Sequence, residues 1–200
     1  MKTLAEGTNT TYYTRSSKIK ALRMSDSLPA GFVPSTANTV STTNSSYPVY
    51  IFFDNTNDAG IMYFYTEAAD IYMNQDSSYA FTKNIAISDI SALASWYTGN
   101  VANMKEMFLD NYSLTDLSGL ASWDTGSVTN MQDMFENAHT LTNLSALASW
   151  DTSNVTSMYY MFVGTYSLTD LSGLASWDTS NVTNMSGMFG SNYSLTDLSL

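Results

Sequence analysis

The sequence predicts a β-rich α/β solenoid with an N-terminal β-hairpin cap, and three observations indicate this fold class. Four tryptophans, Trp96, Trp123, Trp150 and Trp177, follow one another at a constant interval. Each lies in a variant of the string SWDTSNVTNMSGMF, with variants of SLTDLSGLA between them. Two strand-like segments precede these repeats. Self-similarity at a period of about 27 residues is typical of a solenoid or propeller array, whose units bury their apolar sides against their neighbours.

The N-terminal region, residues 1–79, is predicted to form the cap. Residues 1–46 are rich in Ser, Thr and Asn and are expected to be irregular. Two β-branched and aromatic runs, Val49–Phe53 and Ile61–Tyr65, then flank the turn-forming segment Asp54–Gly60. This pattern predicts a β-hairpin with a longer loop. Because an open solenoid end exposes core side chains and strand edges, the hairpin is the expected cover.

The array is predicted over residues 80–200, with a degenerate half-repeat first and a truncated repeat last. Phe81 precedes Trp96 by the same interval at which later phenylalanines precede their tryptophans. We interpret SLTDLSGL as a short strand and Met131–Phe135 as a helical or 3-10 turn, with a parallel sheet along one face. Eight apolar columns recur, shown here for the second repeat: Trp123, Val128, Met131, Met134, Phe135, Leu141, Leu144 and Leu147.

The strings WDTSNVTNMSGMF and SLTDLSGL resemble the repeat of a bacterial surface-protein family, the DUF285 or BspA-like leucine-rich-repeat family. The resemblance covers residues from about 80 to 200 and extends to PVYIFFDN and IMYFYTEA before them. It implies a right-handed leucine-rich-repeat array, a location on or outside bacterial cells and, for some members, a role in adhesion. The first tryptophan repeat departs from the pattern, with Tyr97 for Asp, Gly99 for Ser and Ala102 for Thr.

Composition argues against several classes of function. The net charge is −11, and no Lys or Arg follows Lys105, so the repeats beyond it lack the cations that phosphate backbones and anionic membranes need. There is no Cys, which excludes disulfides and thiolate metal sites. No apolar run is long enough to span a membrane. The start shows no apolar signal segment, so we expect a fragment whose export signal and anchor lie outside it.

Recurrent polar and aromatic residues have structural interpretations. The pattern Asp-Thr-Ser-Asn at Asp151–Asn154 and Asp178–Asn181 could hold calcium, but Asp and Asn also stabilise turns through their own backbone. An acidic column of Asp116, Asp170 and Asp197 is interrupted by Asn143, which disfavours a metal ladder. The methionine pairs are expected to pack in the core and the tryptophans to form a buried or half-buried ladder. We therefore predict no metal and no cofactor.

No catalytic site is predicted either. His139 is the only histidine, it has no Cys or Ser partner at a telling position, and it is expected to be solvent-facing or partly packed. The columns that vary between repeats, such as Gln132-Asp133, Glu136-Asn-Ala and Leu109-Asp-Asn, are expected to face solvent. Aromatic residues give the best candidate recognition patch, because Tyr supplies contact area at low entropic cost. The candidate binding face comprises Tyr112, His139, Tyr159, Tyr160, Tyr166 and Tyr193.

These features predict a non-catalytic surface or secreted module, monomeric in isolation, that binds a host or bacterial surface protein, a glycan or a cell. Binding would be multivalent, with weak contacts spread over several repeats. The alternative is a rigid spacer that holds another domain away from the cell wall. A recognition module on a fibre would require a trimerising stalk elsewhere in the full chain.

Overall fold

The computed structural model of the chain describes residues 17–35, 49–54 and 60–198. Its N-terminal part contains a three-stranded sheet of β1 (Ala21–Met24), β2 (Tyr50–Asp54) and β3 (Ile61–Tyr65), in the order β1-β3-β2. The strands β2 and β3 pair antiparallel, with Phe52 opposite Tyr63. The predicted hairpin is therefore confirmed. Its loop over residues 55–59 lies outside the described residues, as does most of the segment predicted to be irregular.

Strand β1 lies in that segment, so the prediction of irregular structure is wrong for Ala21–Met24. It pairs parallel with β3, and Leu22 is 1% exposed. Parallel pairing requires a long connection between the two strands, so neighbouring residues give little sign of it. The strand also reaches the array: Leu22 N donates to the carbonyl of Asp89, and Arg23 forms a 2.5 Å ion pair with the Asp89 carboxylate.

A second parallel pair joins the cap to the first tryptophan repeat. It consists of β4 (Ile71–Tyr72) and β5 (Trp96–Tyr97), with Ile71 opposite Trp96 and Tyr72 opposite Tyr97. The rings of Phe64 and Trp96 also meet edge to face, 4.9 Å apart. The cap and the first repeat therefore share a continuous apolar core.

Four of the leucine segments contain a 3-10 helix in the part of the chain that the structure describes, so the predicted strand at SLTDLSGL is wrong. The four helices are Ser91–Ser95, Ser118–Leu120, Ser145–Leu147 and Ser172–Leu174. Before each of the last three helices, a side-chain oxygen accepts a hydrogen bond from a backbone N–H two residues later. Asp116 accepts from Ser118 N at 2.8 Å, and Asp170 accepts from Ser172 N at 2.8 Å. Such a local bond offers the backbone an alternative to strand pairing.

The Met-x-x-Met-Phe segments form consecutive turns rather than a helix, since positive φ angles interrupt them. In the first tryptophan repeat Glu106 has φ 54° and Asp110 has φ 59°. The backbone N–H groups of Met104 and Phe108 donate to carbonyls of the next repeat, both at 2.9 Å. Parallel pairing between repeats is confined here to bridges of single residues: Asp76↔Asn103, Asn103↔Asn130, Asn130↔Ser157 and Ser157↔Asn184. Equivalent positions of successive repeats thus lie side by side.

The apolar columns form the core, as predicted. Phe81, Phe108, Phe135, Phe162 and Phe189 stack in series with centroids 5.3–5.7 Å apart. The indoles of the second, third and fourth tryptophans stack at 6.5 and 6.3 Å, and each Nε1 donates at 3.0 Å to the carbonyl of a leucine in the preceding repeat.

Two residues at the ends of the described array differ from the other members of their columns in hydrogen bonding or burial. The Nε1 of Trp96 is buried without a hydrogen-bond partner among the described residues. In the last repeat Met185 is 41% exposed, since no further repeat packs against it within the described residues, so the prediction that every methionine pair is buried is wrong there.

Taken together, the contacts show repeats of constant length that share a core with an N-terminal sheet. The right-handed leucine-rich-repeat solenoid stays a prediction. Within the described ranges, no helix combines the length and the hydropathy that crossing a bilayer requires.

Candidate interaction surface

Four side chains at equivalent positions of successive repeats form an aromatic ladder, which we define as Tyr112, His139, Tyr166 and Tyr193. The rings of Tyr112 and His139 are 4.4 Å apart at 10°, and those of His139 and Tyr166 are 4.5 Å apart at 14°. Tyr166 and Tyr193 follow at 5.6 Å and 23°. The structure thus brings together four of the six residues that the sequence singled out.

Hydrogen bonds between repeats hold the first three rungs of the ladder. Thr140 Oγ1 donates to the carbonyl of Tyr112 at 3.1 Å, and Ser167 N donates to the carbonyl of His139 at 3.2 Å. In both cases the bond comes from the residue that follows the next rung, so it fixes the backbone of one rung relative to that of the next.

Exposure increases along the ladder. Tyr112 and His139 are half-buried, Tyr166 is 41% exposed and Tyr193 is 80% exposed. His139 is stacked on both sides, which agrees with the prediction of a partly packed ring. Because the internal ring faces cover one another, a partner meets mainly their edges and polar atoms.

Tyr159 and Tyr160 form a separate cluster in the Met-x-x-Met segment. Their rings stack at 4.0 Å, and Tyr160 has φ 53°. The Tyr160 ring lies against Gly187 of the next repeat, where a Cβ would come within 2.1 Å of Tyr160 Cε1. A hydrogen bond with Tyr160 raises the pKa of Tyr159, and the negative charges of Asp133 and Glu136 act in the same direction.

Sequence reasoning missed a carboxyl pair, Asp133 and Glu136, beside this cluster. Asp133 is 7% exposed, so the prediction that its column faces solvent is wrong; the same holds for Asp110, Asn111 and Ala138. Asp133 Oδ2 accepts from Gln132 Nε2 at 2.8 Å, whereas Oδ1 is buried without a partner among the described residues. Tyr160, in the same column and with a similar positive φ, is 37% exposed, so neither residue variation nor backbone conformation alone predicts the burial of Asp133.

Burial and the nearby charge of Asp133 raise the pKa of Glu136 from its ordinary value of 4.5 to about 7. Burial likewise raises the pKa of Asp133. One of the two carboxyl groups is therefore readily protonated near neutral pH, and a protonated carboxyl can donate to the other.

The carboxylates of the Asp-Thr-Ser-Asn turns behave as the structural interpretation predicts. Asp151 Oδ1 accepts from Ser153 N, and Asp178 Oδ1 accepts from Ser180 N, both at 2.9 Å. Hydrogen bonds from the side chain and backbone of Ser153 lower the pKa of Asp151, and those from the backbone and side chain of Ser180 lower the pKa of Asp178. In the part of the chain that the structure describes, no group of three His, Asp or Glu side chains is arranged to hold a metal ion.

Comparison with protein families matches residues 75–198 to the family described as "Mycoplasma protein of unknown function, DUF285". The chain belongs to the DUF285 family. The matched range includes every rung of the ladder, the Tyr159–Tyr160 cluster and the carboxyl pair, so these features lie within the DUF285 region. Comparisons with curated proteins and with solved structures gave no match.

Proposed function

We propose that this DUF285 chain is a non-catalytic binding module that presents the face carrying the aromatic ladder to a protein, a glycan or a cell. The ladder itself is the observation that carries the proposal. It places four rings in register over four repeats. Tyrosine is enriched at protein interfaces, because its apolar ring and its hydroxyl serve one contact together.

The stacking favours a protein partner over a glycan for the internal rungs. Sugar recognition by aromatic residues uses open ring faces, and those of Tyr112 and His139 lie only 4.4 Å apart. Protein partners can instead contact ring edges and bond to the phenol hydroxyls. Several equivalent weak contacts would then add through multivalency.

We further propose that the repeats form a right-handed leucine-rich-repeat solenoid of the BspA-like kind, located on a cell surface or secreted. The constant spacing of the single-residue bridges supports a solenoid. The hydroxyl-rich composition, with only 12% charged residues, and the absence of Cys support an exported protein.

The test is binding of the purified chain to immobilised fibronectin, collagen and a glycan array. A Tyr166→Ser/Tyr193→Ser variant is compared with Tyr79→Ser, which removes a 39% exposed tyrosine outside the ladder. We expect saturable binding to a protein surface that the ladder variant weakens at least tenfold and the control leaves unchanged. Circular dichroism verifies that all forms are folded.

Equal binding by the ladder variant and the wild type would refute the ladder as the binding face. A folded chain that binds nothing on the panel would favour the alternative, a rigid spacer. The spacer has its own support: backbone bonds run from one repeat to the next at Met104, Phe108, Phe135 and Phe162, each at 2.9 Å. Such continuous bonding would resist bending.

A further inference from the structure

A second surface feature lies at the junction of the cap and the first tryptophan repeat, away from the aromatic ladder. It is a groove of about 620 Å³ between β4, β5 and the following turn. Its walls include Tyr72, Trp96 and Tyr97 together with the carboxylates of Asp70 and Asp124. Among the described residues that line it there is no Lys, Arg or His.

The aromatic wall is unusually exposed. Tyr72 is 64% exposed and Tyr97 is 51% exposed, and their rings stack at 4.9 Å because β4 and β5 place them opposite each other. Tyr97 stands in the column that holds Asp in the later repeats. The departure from the repeat pattern therefore adds a ring on the wall of this groove.

The carboxylate of Asp124 reaches the groove because Gly99 lacks a side chain. A Cβ at Gly99 would lie 2.8 Å from Asp124 Oδ2, closer than such atoms can approach. The other oxygen, Oδ1, accepts from Gly126 N at 3.1 Å, and this bond fixes the carboxylate. Gly99 Cα and Asp124 Oδ2 thus form adjacent parts of the lining.

Carboxylates and open aromatic rings together favour a cation. A guanidinium group stacks on aromatic faces and donates to carboxylates in a bidentate manner. A neutral ligand would have to remove water from two carboxylates without supplying charge, which costs free energy. The groove exceeds one side chain in volume, so it also admits the neighbouring backbone of a peptide.

We propose that this groove binds an arginine side chain of a partner peptide, with the guanidinium stacked on the Tyr72–Tyr97 pair and its N–H groups donating to Asp124 and Asp70. The net charge of −11 attracts such a peptide to the surface, and the groove provides a defined binding site for its arginine side chain. The groove shares no lining residue with the aromatic ladder, so this proposal can be tested separately from the function proposed above.

The test titrates the full ¹⁵N-labelled chain with acetyl-Gly-Arg-Gly-amide and follows amide chemical shifts. The same peptide with citrulline in place of arginine keeps the planar group and removes its charge. We expect saturable shifts confined to the surroundings of Tyr72, Tyr97, Gly99 and Asp124, and binding at least tenfold weaker for citrulline. Equal binding of the two peptides, or shifts spread over all acidic residues, would overturn the proposal.

Two alanine variants sharpen the test. Gly99→Ala displaces the Asp124 carboxylate, and the fold tolerates it because only the end of one side chain must move. The matched control is Ser180→Ala, at the equivalent position of the fourth tryptophan repeat, where the side chain is exposed and does not line the groove. We expect Gly99→Ala to weaken arginine-peptide binding about fivefold to tenfold and Ser180→Ala to leave it unchanged.

Tyr97→Ser tests the aromatic wall, and we expect a similar loss of affinity. A neutral oligosaccharide, maltohexaose, serves as the competing ligand. Its binding at the same amides without binding of the arginine peptide would show that the groove is a sugar site, contrary to the proposal. Unchanged arginine-peptide binding by folded Gly99→Ala and Tyr97→Ser variants would equally overturn it.

Discussion

The carboxyl pair of Asp133 and Glu136 shows how the repeat places a charge where solvent cannot fully stabilise it. Glu106 and Asp110 of the preceding repeat add negative charge, Lys105 adds the opposing charge, and the Tyr159 phenol faces the pair from the next repeat. Burial is the largest contribution to the raised pKa of both carboxyls. Ionising the pair therefore opposes folding.

The pH dependence of stability follows from the direction of that change. A carboxyl with a pKa of 4.5 when unfolded and about 7 when folded binds more protons in the folded state between those values. The free energy of unfolding must fall as pH rises through this window and level off above it. Because Glu136 is half-exposed and solvent screens its charge, we expect an effect of only about 1 kcal/mol.

We predict that Glu136→Gln raises the free energy of unfolding by about 1 kcal/mol at pH 8 and leaves it nearly unchanged at pH 5. Urea denaturation at the two pH values measures the difference. Glu67→Gln, at an exposed carboxyl of the cap, is the control and should show no such pH dependence. An equal gain at both pH values would show that burial of the charge is not the cause.

A column of buried threonines forms one regular set of connections between repeats. Thr98, Thr125 and Thr152 are 1–2% exposed, and each hydroxyl donates at 2.9 Å to the carbonyl of an aspartate in the next repeat. These bonds are partly buried, so a carbonyl that loses its donor regains only part of its hydration. These bonds therefore hold neighbouring repeats in register as well as close together.

We expect Thr125→Val to lower the free energy of unfolding by about 1–2 kcal/mol, because it removes a buried hydroxyl and leaves the Asp151 carbonyl without that donor. Thr129→Val is the matched control. Its exposed hydroxyl donates to the Ala102 carbonyl at 3.1 Å, but that oxygen also accepts from the Thr129 backbone N–H at 2.9 Å. Urea denaturation that gave equal losses for both variants would contradict the argument.

The sequence predicts the columns and the hairpin correctly, because both depend on apolar spacing and turn residues within short segments. The stacking of Tyr112, His139 and Tyr166 follows from their shared column in the same way. The 3-10 helices were not predicted, since the regular leucine spacing also suits a strand bounded by turns. Strand β1 and the groove at Tyr72 depend on long-range pairing, and the burial of Asp133 depends on contacts with neighbouring repeats. Local patterns specify neither.

At the scale of the whole molecule, the repeat is the unit of stability. Each repeat buries its tryptophan and phenylalanine against the equivalent residues of its neighbours, so its stability comes from both neighbours. The stacked phenylalanines have nearly constant centroid spacings of 5.6, 5.6 and 5.7 Å, so the contact between each pair of neighbouring repeats has the same geometry as the one before it.

Deletion of residues 124–150 tests this organisation, because it joins Trp123 to Asp151 and removes one full period. Thr98 would then face the carbonyl of Asp151 instead of Asp124, and Tyr112 would stack on Tyr166. We expect a folded chain, with a urea dependence of unfolding reduced in proportion to the buried surface that is lost. Deletion of residues 124–137 removes about half a period and sets every later column against the wrong neighbour, so that chain should lose its cooperative transition. If the two deletions behaved alike, register between equivalent positions would not be what holds the array together.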